Sequence, residues 1–265
     1  MYAPSPRTGV ASSEREPVDP LRVTVRRRGS IHEASGHIDG GRFHGRWHFA
    51  FDRYRDPEHE HFGNLRVLND DTLDPGATWP LHPHTQNEVI TYVAGGEFRH
   101  EDEHGKGGVL HQGGVQHTTV GSGMYHAEIN HRRDIPLRFV QIWYLPDRLN
   151  LPPTVEQREV DRDERRNRWL PLVSSRVPGT LPLRADGTVY SSFLETGKTL
   201  ELRVEAGRGL YLYVLDGGPL KLGREDLEAL DAAQVQGVGA VSASASADSE
   251  LLLLEVNLHL GWPKA

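Results

Sequence analysis

The sequence predicts an all-β chain built as two small barrels in tandem. Three observations carry this reading. Short β-type runs broken by Gly, Asp and Pro recur almost everywhere, and long stretches with a 3.6-residue period are nearly absent. A charged, Pro-bearing segment over residues 146–169 interrupts the series, and a second β-rich series follows it. The halves also echo each other: Tyr92-Val93-Ala94-Gly95-Gly96-Glu97-Phe98 resembles Tyr213-Val214-Leu215-Asp216-Gly217-Gly218-Pro219-Leu220, about 120 residues later. Two hairpins each needing Gly at the turn could match by chance, but duplication of one unit explains the pair better. The chain has 265 residues, enough for two domains that each bury a core.

In the first half, strands are expected over residues 88–93, 97–102, 108–110, 115–120, 125–129 and 137–144. Turns fall at Gly95-Gly96, His104-Gly105, Gly113-Gly114 and Gly121-Ser122-Gly123. Strands this short and this regularly spaced suit a sandwich or small barrel. In the second half, residues 199–204, 209–215 and 251–256 read as strands, and the Ser/Ala tract 242–249 reads as a hairpin tip. The expected division is a flexible N-terminus (1–20), a first barrel (21–148), a linker (149–175) with a short helix in 160–168, and a second barrel (176–265).

Composition narrows the function classes. Apolar residues make up 37%, and no window approaches the 18 or more apolar residues of a membrane span. The segment MYAPSPRTGVASSEREPVDP has no apolar core of a secretory signal, and with no cysteine in the chain a cytoplasmic protein is the simplest expectation. A net charge of −7 argues against direct nucleic-acid binding, with Arg26-Arg27-Arg28 as a local exception that reads as a solvated strand end.

Histidine is the unusual residue. All of its 15 copies except His259 lie between His32 and His131. His82-Pro83-His84 sets two imidazoles at i and i+2, which an extended chain places on one face. His126-Ala127-Glu128 repeats the spacing with a carboxylate, after about four strand-sized segments that let the chain return beside its first pass. If both faces point into a barrel, His82, His84, His126 and Glu128 converge, and a shared cation satisfies groups that are costly to bury unpaired. Such a donor set suits one divalent transition metal, Fe(II), Mn(II), Ni(II), Cu(II) or Zn(II), with positions left open. Pro83 places the first pair at a strand start or bulge. His59-Glu60-His61 is a second His-x-His pair, read as a polar surface loop. His44, His48, His100, His104, His111 and His117 are expected to be exposed or to lie behind the ligands. No histidine occurs from Arg132 to Leu258, so the second barrel has no imidazole-based site.

At these residues the sequence resembles the pirin family, whose members are bicupins. His82-Pro83-His84 with Glu88-Val89-Ile90-Thr91-Tyr92-Val93 looks like its first cupin motif. Gly113-Gly114-Val115-Gln116 and Gly121-Ser122-Gly123-Met124-Tyr125-His126-Ala127-Glu128 look like its second. Phe43-His44, Phe49-Ala50-Phe51, Asp56-Pro57-Glu58-His59, Leu65-Arg66-Val67-Leu68-Asn69-Asp70-Asp71, Gln141-Ile142-Trp143, Pro152-Pro153 and Glu156-Gln157 also match. Thr85, Ala94-Gly95 and Gly114 depart from the usual residues, and none is a proposed ligand. The resemblance is strong over residues 40–160 and covers the second half only by general pattern.

It implies two cupin-type, double-stranded β-helix (jelly-roll) barrels, with His82, His84, His126 and Glu128 as ligands and iron as the usual metal. It also implies either of two functions. One is a metal-dependent dioxygenase of the quercetin 2,3-dioxygenase type, taking O2 and a small flavonol-like aromatic, with Glu128 as base for the 3-hydroxyl proton. The other is a non-enzymatic, metal-dependent transcriptional co-regulator that binds a protein partner. A purely structural metal is a third reading, and a monomer that meets neither nucleic acid nor membrane is expected in each case.

Overall fold

The outer strands alternate between solvent and interior, as the seven-residue runs His32–Ile38 and Gly41–Trp47 show, whereas Leu65–Leu73, Glu88–Gly95 and Leu137–Tyr144 are buried along nearly their whole length. Continuous burial marks strands covered on both faces. The computed structural model describes residues 19–105 and 107–259. Of the N-terminal stretch expected to be flexible, all but Asp19 and Pro20 lies outside the described residues, and Pro20 bridges to Val238.

Each half is a seven-stranded sheet packed on a four-stranded one. In the first, the larger sheet runs in the order Thr154–Arg158, Val115–Thr119, Glu88–Gly95, Leu137–Tyr144, Leu65–Leu73, Gly41–Trp47, His32–Ile38. The smaller runs Thr78–His84, Met124–Asn130, Phe98–Asp102, Gly107–Leu110. The second half repeats both orders. Its larger sheet is Arg22–Arg26, Ala232–Gln236, Arg208–Asp216, Ser249–Asn257, Gly187–Leu194, Leu170–Ser174, Leu181–Pro182, and its smaller is Thr199–Val204, Gly239–Ala245, Leu220–Leu222, Glu225–Leu227. Tyr92 and Tyr213 fall on strands in the same place in their sheets, so the sequence echo marks a true duplication. The architecture is the expected pair of cupin barrels.

Several expectations need correction. Segment 149–175 is not a free linker: Thr154–Arg158 pairs with Val115–Thr119, Leu170–Ser174 opens the second barrel, and the expected helix is a single 3-10 turn at Arg162–Arg165. The charged residues that suggested a linker belong to an edge strand and to a capped turn, in which Asp161 and Glu164 form a capping box and Arg165 is buried against Glu250. Strand Arg22–Arg26, assigned to the first barrel by position, pairs with Ala232–Gln236 of the second. The Ser/Ala tract is half strand, because small residues there bury Ala243 and Ala245 against the second core.

One apolar core spans the two halves. Leu65, Leu68, Ile90, Tyr92, Val140 and Ile142 from the first barrel join Val189, Tyr211, Tyr213, Leu252 and Leu254 from the second. Within it Asp70 accepts hydrogen bonds from Arg138 (2.8 and 2.6 Å) and from the Tyr213 hydroxyl (2.6 Å), while Arg138 also donates to the Leu215 carbonyl (3.0 Å). The interior of the second barrel is apolar, and Leu200, Leu202 and Val204 occupy the strand equivalent to the one bearing His82 and His84.

The shared core predicts one cooperative thermal transition rather than one per barrel. Removing one partner of a buried ion pair costs about 3–5 kcal/mol, and the partial exposure of Arg138 puts Asp70→Ala at the lower end. Each kcal/mol moves Tm by roughly 2–4 °C in a chain of this size, so calorimetry should show the single transition lowered by about 6–12 °C. Two resolved transitions in the parent would contradict the shared core.

Candidate metal centre

Thr78–His84 lies at an edge of the four-stranded sheet, which accommodates Pro80 and Pro83 because a proline nitrogen cannot donate to a ladder. Its pleat turns His82 and His84 the same way. The neighbouring strand Met124–Asn130 sets His126 opposite His82 and Met124 opposite His84. Donor atoms of the three imidazoles all lie within 4.8 Å of one another, and the ring centroids are 4.6–4.9 Å apart. This is the only such group of three or more donors among the described residues.

The hydrogen bonds prepare these rings for a cation. His82 Nδ1 donates to the Pro80 carbonyl (2.8 Å), which leaves its Nε2 with a free lone pair. His126 Nδ1 lies 3.1 Å from His100 Nε2. The Nε2 atoms of His84 and His126 are buried with no hydrogen-bond partner among the described residues. Burial, and next the charge of His82, hold His84 down to about 4 and His126 down to about 2, so both rings are neutral at physiological pH. Neutral imidazoles with unpartnered, convergent nitrogens fit a divalent transition metal.

Glu128 stands apart. Its carboxylate does not come within 4.8 Å of all three donor nitrogens, although it is on the same strand as His126. A register shift between His126 and Glu128 places the latter opposite Trp79. Gln141 donates to Glu128 Oε1, and Trp143 donates to Gln141 Oε1 (3.0 Å). Burial, reinforced by the nearby Asp71 charge and opposed by the Gln141 hydrogen bond, pushes the Glu128 carboxyl up to about 8.

His82, His84 and Glu128 all face one cavity of about 660 Å³. Its walls are aromatic: Phe43, Trp47, Phe51, Trp79 and Trp143. Trp143 meets His84 edge-on at 4.8 Å and Phe51 at 5.4 Å, and Phe43 tilts against Trp79 at 4.7 Å. The polar floor is Asn69, Asp71, Gln141 and Glu128, all buried. Asp71 accepts from the Trp47 indole (3.2 Å), yet burial dominates and carries it up to about 7. Of these, Asn69, Asp71 and Gln141 were not singled out as site residues in the sequence. Their signal was the two-residue spacing of Asn69 with Asp71 and Gln141 with Trp143, which puts each pair on one face of its strand.

No other histidine joins the group. His44, His104 and His111 are exposed, and His59-Glu60-His61 lies in a loop where His59 bonds Asp56 (2.8 Å). His48, His100 and His117 are buried. His117 holds Glu88 (2.8 Å), whose carboxylate also accepts from the backbone of Arg184 (2.9 Å) in the second barrel. Among the described residues no helix is long and apolar enough to cross a membrane.

Comparison with known proteins agrees with this geometry. The Pirin family model matches residues 31–144, and the model described as "Quercetinase C-terminal cupin domain" matches residues 172–256. A Pseudomonas aeruginosa protein named "Putative quercetin 2,3-dioxygenase PA1210" is 37% identical, over 83% of this chain and 95% of its own. The Escherichia coli K12 protein named "Quercetin 2,3-dioxygenase" is 30% identical, over 79% and 90% respectively. The crystal structure of the bacterial pirin YhhW of Escherichia coli in complex with nickel(II) superimposes with a TM-score of 0.81 at 27% identity, covering 89% of this chain and 99% of that one. With a duplicated cupin fold, a three-histidine group in the first barrel and relatives this similar over most of its length, the chain belongs to the pirin family.

Proposed function

We propose that the protein is a metal-dependent dioxygenase acting on a flavonol-like aromatic, with the metal held by His82, His84 and His126. The observation that supports this most is that two of the three clustered imidazoles, His82 and His84, stand on the wall of an aromatic-lined cavity rather than in a sealed core. A regulator would need no such cavity, and beside it would be expected to show a large exposed apolar patch. The exposed large apolar residues among those described are only Leu81, Tyr125, Ile135 and Val238. The names of the Pseudomonas aeruginosa and Escherichia coli relatives point the same way.

A bound divalent transition metal, with iron the favoured ion, would supply Lewis acidity and redox capacity at the histidine end of the cavity. The protein's own residues do the rest. The indole and phenyl walls hold planar rings and exclude water. Ionised Glu128, on the polar floor, accepts the proton of an enolic hydroxyl that reaches it, and because burial lifts this carboxyl to about 8 the role strengthens as pH rises toward that value. Gln141 anchors that carboxylate, and Trp143 anchors Gln141, so the base is held by a chain of donors. Glu128 as a fourth ligand is compatible with this role only if it moves from the Gln141 amide toward the histidines.

Native mass spectrometry of freshly purified protein should show one transition-metal ion per chain, and His126→Ala should show none. Two tightly held ions would contradict the apolar second barrel. Saturating the site at a hundredfold excess over Kd stabilises the folded state by about 2.7 kcal/mol. Chelation should therefore lower the one cooperative Tm by roughly 5–10 °C.

Glu128→Gln keeps size and one oxygen but loses basicity. Compared at equal metal content, it should turn over flavonols at least about a hundredfold more slowly, the lower range for a general base. Parent-like turnover would remove Glu128 from the chemistry. Absence of oxygen consumption by the parent with any flavonol, in its iron, nickel, copper and manganese forms, would overturn the dioxygenase reading.

A further inference from the structure

His100 takes no part in the three-imidazole group, yet it is 1% exposed and its ring centroid lies 5.2 Å from that of His126. Its Nε2 is 3.1 Å from His126 Nδ1, while its own Nδ1 is buried with no partner among the described residues. Strand pairing brings it there, since Phe98–Asp102 runs beside Met124–Asn130 with His100 opposite Glu128. Gly107 closes the space behind. A Cβ on Gly107 would lie 1.8 Å from the His100 carbonyl oxygen and 3.2 Å from its Nδ1, so no side chain can stand there.

We infer that His100 is a positioning residue that sets the tautomer of His126, and so decides how tightly the three-histidine group holds a metal. Only a ring nitrogen without a proton offers a lone pair to a cation. A ligating His126 Nε2 therefore requires the proton on Nδ1, where it is donated to His100 Nε2. The proton of His100 then sits on its own Nδ1, facing no acceptor. In the reverse arrangement His100 Nε2 donates to His126 Nδ1, and the proton on His126 Nε2 blocks the metal. Each arrangement leaves one buried N–H without a partner among the described residues, His100 Nδ1–H in the ligating form and His126 Nε2–H in the blocked one. The pair is therefore poised between the two, and a cation at His126 Nε2 selects the ligating form. His82 has no such choice, because the Pro80 carbonyl can only accept.

This inference rests on the three-histidine metal centre and not on the dioxygenase reading, and its test reads metal binding alone. Metal-free full-length protein would be titrated with Ni(II) by calorimetry, and its Cu(II) form recorded by electron paramagnetic resonance. In His100→Gln the side-chain oxygen can take the place of Nε2 and accept from His126, whereas His100→Asn is too short and His100→Leu has no acceptor. The Leu and Asn variants should bind Ni(II) about 10–100-fold more weakly, as expected when the partner of a ligating histidine is lost, with Gln within about threefold of the parent. The copper hyperfine pattern of the Gln variant should match the parent, and those of Leu and Asn should differ. Thermal unfolding without metal reports whether each variant folds. Should Leu fail to fold, the comparison of Asn with Gln decides. Parent-like binding in either folded Leu or Asn, or equal weakening in Gln and Asn, would overturn the assignment.

Discussion

Three strands of the first barrel are buried on both faces, and the rest of the molecule is arranged around that constraint. Leu65–Leu73 and Leu137–Tyr144 have the cavity on one side and the second barrel on the other, and Glu88–Gly95 beside them sends Val93 into the first barrel's interior and Ile90 and Tyr92 into the shared core. Because side chains alternate with a period of two, each strand must serve two environments at successive residues. Asn69 and Asp71 turn to the cavity, while Leu68 and Asp70 turn to the second barrel. Gln141 and Trp143 line the site, while Val140, Ile142 and Tyr144 enter the shared core. A one-residue slip in any of them would exchange the two sets, putting carboxylates into the core and leucines into the cavity. The Asp70–Arg138–Tyr213 contacts pin the register from the side opposite the site.

The duplicated barrels spend their interiors differently. The second fills its interior with Leu202, Leu212, Leu220, Leu253 and their neighbours. The first leaves its equivalent space open, lined with imidazoles, indoles and two carboxylates that burial pushes up to about 7 and about 8. Unpaired polar groups of this kind oppose folding. The apolar second barrel, packed against the strands that carry them, offsets that cost. This gives a physical reason for keeping a barrel without metal ligands.

The sequence made the fold class, the duplication and the three histidines legible because each rests on short-range regularity: strand-length runs, a repeated Tyr-plus-turn pattern and i, i+2 spacing. What it did not show depends on long-range pairing. Arg22–Arg26 has the composition of a solvated end and nothing local that names Ala232–Gln236 as its partner. The i, i+2 rule puts Glu128 on the same buried face of its strand as His126, and the structure has it there. What the spacing does not show is the extra residue in Thr78–His84, at Pro80 and Leu81, that sets Glu128 opposite Trp79. His100 could be placed behind the ligands from its setting among other histidines, but its contact with His126 needs the strand order.

The crossed edge strands bear on how the chain reaches this state. Arg22–Arg26, the first of the described strands, completes a sheet whose partner strand Ala232–Gln236 lies far along the chain. The first barrel in turn waits for Thr154–Arg158, beyond its own metal-binding strands. Contacts between residues so distant along the chain slow folding, because the loop must close before the pairing stabilises it. On the ribosome every strand of the first barrel therefore emerges while the Arg22–Arg26 segment still hangs unpaired. Closure of that strand onto the second sheet is then a late event that joins two segments far apart along the chain.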